Sequence, residues 1–358
     1  MLTDEPKEGG AAPSKSRFCE GLEYEKAHLL KDILILHHFC ENKMTNFCFT
    51  NVCVESKEMR FRSLVLRCLL FVYWLAPVQA ETVTTTPWPG VTHIIRTDEQ
   101  PRKVSIHIVK IDLTTSGFSF KLTAPSGSRE TVRQTTLDFL NQEKAQIALN
   151  GHFFTPYPSQ EMESFLVGFA ASGGKVFSDF EQPVQSYAIV ANAPALNIDD
   201  ENNAAIVTLD SVAGTKIGTA ISGSAQIITN GLATVPFYKD GHHPDGLLTP
   251  GGPAGYSNAK SWYDVPNART VIGLSEDNRT LFLFTVDRAG ASQGMKLSEV
   301  AELLVKEYGV NNALNLDGGG STTLAMEDPK SHEARIVNVS SDNPNGRAVA
   351  SSLAVFVK

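Results

Sequence analysis

The sequence of 358 residues predicts an α+β fold: a single domain, mainly antiparallel sheet, with two principal helices packed on it. Two observations carry this. The apolar residues gather in short runs broken by Gly, Asn and Asp, at 104–111, 117–122, 146–149, 187–190, 206–209, 270–274, 281–286, 313–316, 323–326 and 352–357. Runs of that length bounded by turn formers are the pattern of strands. Only two segments carry a helical repeat instead. Leu297, Val300, Ala301, Leu304 and Tyr308 share one helical face, with Glu299 in the first turn and Gly309 as a stop. Val132, Thr136, Phe139 and Leu140 do the same ahead of Asn141.

The start of the chain reads differently. Its five cysteines, Cys19, Cys40, Cys48, Cys53 and Cys68, all fall early, so the remainder has neither a disulfide framework nor a thiolate metal site. Met59-Arg60-Phe61-Arg62 precedes an apolar run over 64–76 and then Val78-Gln79-Ala80. Basic, then apolar, then small-x-small is the order of a secretory signal peptide, and the run is too short for a comfortable membrane span. Residues 59–80 are therefore read as a signal peptide, with translation expected to start at Met59 and 1–58 an upstream extension outside the fold. The alternative is an N-terminal anchor that is never cleaved. Residues 81–103, opening with a Thr- and Pro-rich stretch, read as an extended leader, and 104–358 as the domain. The first 80 residues hold ten basic and ten acidic side chains, so the remainder keeps the whole formal charge of −8. An acidic balance with no Lys/Arg run argues against nucleic acid as a partner, because phosphate neutralisation supplies most of that affinity. The expected location is secreted or periplasmic, with no stable membrane span after cleavage.

The chemistry is expected around Asn312-Ala313-Leu314-Asn315-Leu316-Asp317-Gly318-Gly319-Gly320-Ser321, an apolar strand running into a carboxylate and three glycines. Asp-Gly alone opens many hairpin turns. Three glycines exceed what one turn needs and mark close backbone approach, with consecutive amides able to form an anion-binding concavity. Asn150-Gly151-His152-Phe153-Phe154 also follows a strand, and Ala148-Leu149-Asn150-Gly151 echoes 313–318 faintly enough to suggest a duplication bringing Asn150 and Asn315 together. Asn150 can donate to and accept from a sugar hydroxyl, whereas His152 beside two aromatics reads either as a ligand or as a hydrogen-bonded structural residue. Antiparallel pairing of 270–274 with 281–286 puts Arg269 and Thr270 near Asp287 and Arg288. Arg269 then either forks onto phosphate or forms a buried ion pair with Asp287, and the loop residue Arg347 carries the same ambiguity. The Gly241-His242-His243-Pro244-Asp245-Gly246 loop lacks the spacing of a helical zinc motif. Asn278 and Asn338 match the glycosylation acceptor pattern.

Taken together, ALNGHFF at 148–154, SGSAQIITNG at 222–231, ARTVIGL at 268–274, TVDRAG at 285–290, ALNLDGGGSTTLAM at 313–326 and the closing Ile336-Val337-Asn338 with Arg347 resemble the phosphodiester glycosidase family. Ala268 departs from the proline that often precedes the Arg-Thr pair. The resemblance implies an exported hydrolase that cleaves between the anomeric carbon of a sugar and the phosphate of a phosphodiester, with a carbohydrate phosphodiester or polysaccharide as substrate. Asp317, Asp287 and Asn150 are the expected catalytic residues. Arg269, Thr270, Asn315, Gly318, Gly319, Gly320, Ser321, His152, Arg288 and Arg347 are expected to bind substrate. No cofactor is assigned, and a divalent ion such as calcium is left open. Two other readings stand beside this one: a non-catalytic envelope protein that binds or exports polysaccharide, and a metal-dependent phosphodiesterase with Asp317 and Asp287 as ligands.

Overall fold

The computed structural model describes residues 80–180 and 189–358. The upstream extension, the signal peptide through residue 79 and the first two residues of the strand expected at 187–190 lie outside those residues. Antiparallel sheet dominates. The largest sheet has eight strands in the order Glu81–Trp88, Val91–Asp98, Val104–Asp112, Thr280–Val286, Arg269–Ser275, Val310–Asn315, Ala225–Thr229 and Leu232–Ala233. A second sheet orders Ala334–Ile336, Leu324–Glu327, Ile147–Asn150, Ser352–Val357 and Phe118–Leu122. A third orders Lys175–Ser178, Ala170–Ser172, Thr219–Ser222, Ala195–Ile198 and Ala204–Val207.

Alternation along the strands decides the layering, because successive side chains of a strand face opposite ways. On Thr280–Val286, Leu281 and Leu283 join a core with Ile147, Leu149, Leu353 and Val355 of the second sheet and Leu196 and Ile221 of the third. Phe282, Phe284 and Val286 point the other way, into a cluster with Leu297, Val300, Ala301 and Leu304. Those four lie on helix α2, Leu297–Tyr308, whereas helix α1, Thr136–Glu143, packs Phe139 and Leu140 against Ala148, Ala325 and Ala354 on the outer face of the second sheet. The two helices therefore flank a pair of stacked sheets. Helix α2 ends as its sequence requires, with Gly309 at φ +69°, a left-handed conformation that glycine adopts without strain.

Two expectations give way. Residues 81–103 are not a loose leader. Val91–Asp98 pairs with Val104–Asp112 over eight residues and Glu81–Trp88 pairs back onto Val91–Asp98, with Val91 and His93 buried. The threonines of this stretch look polar, yet their branched Cβ suits a half-buried pleated surface. Helix α1 also begins later than the apolar spacing suggests. Thr135 caps it, its hydroxyl accepting from Asp138 N at 3.0 Å, while Val132 lies on the short strand Thr131–Val132 with its side chain exposed. Among the described residues no helix is long and apolar enough to cross a membrane.

This packing sets a contrast that unfolding measurements can read. Phe139→Ala and Leu304→Ala, each emptying a fully buried position, should destabilise by about 2–5 kcal/mol. Val132→Ala, on the surface, should stay within about 0.5 kcal/mol in the same denaturant titration.

Candidate active site

The two stacked sheets meet where the chain leaves Val310–Asn315. Leu316 N donates to Thr270 O in the first sheet at 2.9 Å, and Asp317 N donates to Gly151 O beside the second at 3.0 Å. One peptide step thus spans the seam. Asn150, fully buried at the end of its strand, closes it from behind: Nδ2 donates to Asp317 O at 2.6 Å, while Oδ1 accepts from the Thr270 hydroxyl at 2.8 Å and Thr323 N at 3.0 Å. Thr322 Oγ1 lies 3.3 Å from Thr270 Oγ1. Asn338 extends the network, donating to Asp287 Oδ1 at 3.0 Å and Thr322 O at 3.2 Å and accepting from Leu324 N at 2.7 Å. Asp287 also accepts from Val339 N at 3.0 Å. These partners satisfy most of the polar groups that the seam buries, which would otherwise destabilise it, while Thr323 Oγ1 is left without one.

Asp317 stands on the outer side of this frame, partly exposed. Its carboxyl is pushed up to about 6 by removal from water, against the opposing pull of the Ser321 hydroxyl, the Arg347 guanidinium and the Gly318 amide. Arg347 lies across the glycine turn, near enough to act on it electrostatically without a direct ion pair. Any side chain at Gly320 would collide with the guanidinium and with Asp342 Cβ, so this glycine is required for close approach. Arg347 is further held by Asp342 at 2.8 Å, by Ser321 Oγ at 3.4 Å and by the face of Tyr157, whose ring centre lies 5.0 Å from the guanidinium carbon.

The turn does not present its amides as an open anion cradle. Gly319 N donates to Ala268 O at 2.9 Å, Ser321 N to Gly318 O at 3.1 Å, and the Gly318 amide turns back onto Asp317. The glycines supply room for a guanidinium instead. Arg269 is also placed differently from expectation. It is 3% exposed, its Nη2 donates to Trp262 O and Val265 O at 3.0 and 2.6 Å, its Nε donates to Met295 O at 3.2 Å, and its fork lies over the Trp262 ring. Carbonyls therefore hold it, not Asp287 or an open pocket. Asp287, 1% exposed, is pushed up to about 6 by burial and lies behind the turn. Arg288 is exposed and donates to Asn267 Oδ1 at 3.3 Å.

His152 is a structural residue. Its Nε2 lies 3.0 Å from Ser222 N and 3.1 Å from Phe169 O, its Nδ1 lies 2.9 Å from Ser351 Oγ, and complete burial lowers the ring to about 4. The segments of Asn315 and Asn150 come together through Asp317 and Gly151, but the Asn315 side chain does not bond Asn150. It donates to Ser224 Oγ at 2.9 Å, and its buried Oδ1 has no partner. Asn338 cannot carry a glycan, since its side chain is buried and fully engaged. Of the residues expected at the site, Asp317, Gly318, Gly319, Gly320, Ser321 and Arg347 gather on one side of the seam, with Thr270 and Asn150 immediately behind. Asn338, part of the motif set that carries the resemblance, belongs there too, as do Asp342 and Tyr157, whose sequence contexts gave no sign of it. Among the described residues no three His, Cys, Asp or Glu side chains converge as a metal set would. In the His242-His243 loop, Asp240 instead accepts from the His242 and His243 amides at 2.8 and 2.7 Å.

The His152 ring, lowered below its ordinary value, stabilises the fold above pH 6.5, and that contribution is lost as pH falls towards 4. The stability advantage of wild type over His152→Gln should therefore shrink by roughly 3 kcal/mol between pH 7 and pH 4. Urea titrations of both proteins across that range check this, and a pH-independent difference would contradict a buried neutral imidazole.

Known proteins carry the same arrangement of segments. A family model described as phosphodiester glycosidase matches residues 143–356. Human N-acetylglucosamine-1-phosphodiester alpha-N-acetylglucosaminidase is 44% identical over 63 residues, 18% of this chain and 12% of the relative, and the mouse protein is 41% identical over the same length. The matched stretch is thus a small part of those relatives. The solved catalytic domain of the zebrafish protein of that name superposes with a TM-score of 0.53 at 22% identity, covering 78% of this chain and 89% of that one. A hypothetical protein from Synechocystis gives 0.53 at 15% identity, covering 78% and 64%. These two structures share the fold. The family match itself runs over more than half of the sequence, from the approach to Asn150 through Thr270 and the glycine turn to Arg347, and the chain belongs to the phosphodiester glycosidase family.

Proposed function

We propose that this site hydrolyses the bond between the anomeric carbon of a sugar and the phosphate of a phosphodiester, in a protein exported through the signal-peptide pattern of 59–80. One juxtaposition supports the reading most strongly: a carboxylate, Asp317, and a guanidinium, Arg347, share the glycine turn, with Gly320 lacking the side chain that would separate them. A planar guanidinium suits a phosphate diester, which it can grip with two parallel hydrogen bonds. As the C–O bond breaks, its electron pair passes to the phosphate oxygen, and a cation there stabilises the developing charge.

Glycosidases usually employ two carboxylates, one of them an acid for the leaving oxygen. A phosphate monoester is a weak base and leaves without strong protonation, so one carboxylate facing the substrate suffices. Asp287 remains behind the turn, holding Asn338 and Val339. Asp317 either attacks the anomeric carbon, forming an ester that water then opens, or takes the proton from a water that attacks directly. Both routes put the oxygen of water on the sugar and release the phosphomonoester. The names of the relatives make an N-acetylglucosamine phosphodiester the first substrate to assay.

In this mechanism Asp317 works only when ionised, so kcat/KM should rise as pH passes upward through about 6, the value to which burial pushes the carboxyl. Asp317→Asn should reduce turnover by roughly a thousandfold or more without lowering Tm. Hydrolysis in 18O-labelled water should place the label on the sugar. Label on the phosphate would contradict C–O cleavage and favour P–O chemistry, and a parallel assay with chelator tells whether a divalent ion such as calcium takes part. Glycan binding without product would favour the non-catalytic envelope reading.

A further inference from the structure

We infer that Asp342 is an internal stand-in for the substrate's phosphate, occupying Arg347 until a phosphodiester displaces it, and that this exchange makes Asp342 a determinant of specificity. The inference rests on the proposed phosphate-binding role of Arg347. Asp342 Oδ2 accepts from Arg347 Nε at 2.8 Å, and both residues crowd the space over Gly320. Carboxylate and phosphate present the same pair of acceptor oxygens to a guanidinium, so one can replace the other on the same donors. The remaining contacts of Arg347, to Ser321 Oγ and the Tyr157 ring, do not involve Asp342 and can hold the guanidinium through the exchange.

Two features separate a displaceable pair from a structural one. The side chains are 22% and 47% exposed for Arg347 and Asp342, and an ion pair that water reaches is weak enough for a competing anion to open. The 340–346 loop is also built without the Asp342 carboxylate. Ser340 Oγ accepts from Asp342 N and Asn343 N at 3.4 Å, Asn343 Oδ1 accepts from Asn345 N at 2.9 Å, and Gly346 N donates to Asn343 O at 2.8 Å. The carboxylate is thus free to serve Arg347. A neutral glycoside has nothing to offer the guanidinium and leaves the pair closed, whereas a phosphodiester trades one anion for another. Asp342 acts through Arg347 and is a positioning residue in this sense.

The test is calorimetric titration of inorganic phosphate into the full chain as wild type, Asp342→Asn, Asp342→Glu, Arg347→Gln and the double variant Asp342→Asn with Arg347→Gln. Glu276→Gln serves as a charge control, since Glu276 lies at the turn beyond the far end of Arg269–Ser275. Asp342→Asn should tighten phosphate by about three- to fivefold and lower KM for the phosphodiester by a similar factor with kcat unchanged, the scale of an exposed ion pair. Asp342→Glu should keep the wild-type value, and the double variant should match Arg347→Gln alone. Unchanged or weaker phosphate binding in Asp342→Asn, or equal tightening in Glu276→Gln, overturns the stand-in role while leaving the phosphate reading intact. Phosphate binding that ignores Arg347→Gln overturns both.

Discussion

The side-chain amide of Asn150 joins the two stacked sheets at the point where the chain turns into Asp317. Its oxygen satisfies a hydroxyl from the first sheet and an amide from the segment beyond the glycines, and its nitrogen takes the carbonyl of Asp317 itself. Without it, the Thr323 amide and the Asp317 carbonyl lose that partner, and the Thr270 hydroxyl keeps only Thr322 Oγ1, each unmet group costing about 1–3 kcal/mol. The position of Asp317 thus derives from backbone fixed on both sides: its amide is tied to Gly151 and its carbonyl to Asn150. A carboxylate so held needs no flexibility of its own to stay in place.

Burial divides the charged groups near the seam into two kinds. Arg269 and Asp287 are sealed, and each is satisfied by uncharged partners: carbonyls for the guanidinium, an amide side chain and a backbone amide for the carboxylate. Arg347 and Asp317 keep contact with solvent and lie close enough to influence each other. A buried charge engaged on every side organises structure, whereas a half-buried one with an exchangeable partner can answer to a ligand. The glycine turn fits this division, since the amides of Gly318, Gly319 and Ser321 are engaged within the fold and the missing side chain of Gly320 makes the space in which the second kind operates.

Much of the fold was legible in the order of residues. Short apolar runs located nine of the twenty-three described strands, most of those within a residue or two, and the repeat of Leu297, Val300, Ala301 and Leu304 located helix α2, because a long strongly periodic face leaves few alternatives. The hairpin that places Arg269 opposite Val286 followed from the same pattern. The misread segments share a cause. Thr82, Thr84, Thr85 and Thr86 were weighed as polar, although their β-branching suits a strand at the edge of a sheet. Arg269, His152 and Asp287 sit at or just beyond strand ends, and nothing local announces the carbonyls of Trp262, Val265 and Met295 or the amides of Ser222 and Val339 that enclose them. Asp342 was invisible for the converse reason: in a Ser- and Asn-rich loop it looks like solvated surface, and only the fold brings it to Arg347.

In the proposed function, a sugar phosphodiester lies across the glycine turn with its phosphate on Arg347 and its anomeric carbon towards residue 317. A crystal structure of the Asp317→Asn variant with an uncleaved sugar phosphodiester bound tests this directly. The account predicts phosphate oxygens within hydrogen-bond reach of the Arg347 guanidinium and the anomeric carbon facing the substituted side chain at position 317. Ligand bound elsewhere, such as the cleft lined by His93, Met326 and Arg335, with Arg347 still paired to Asp342, would contradict it.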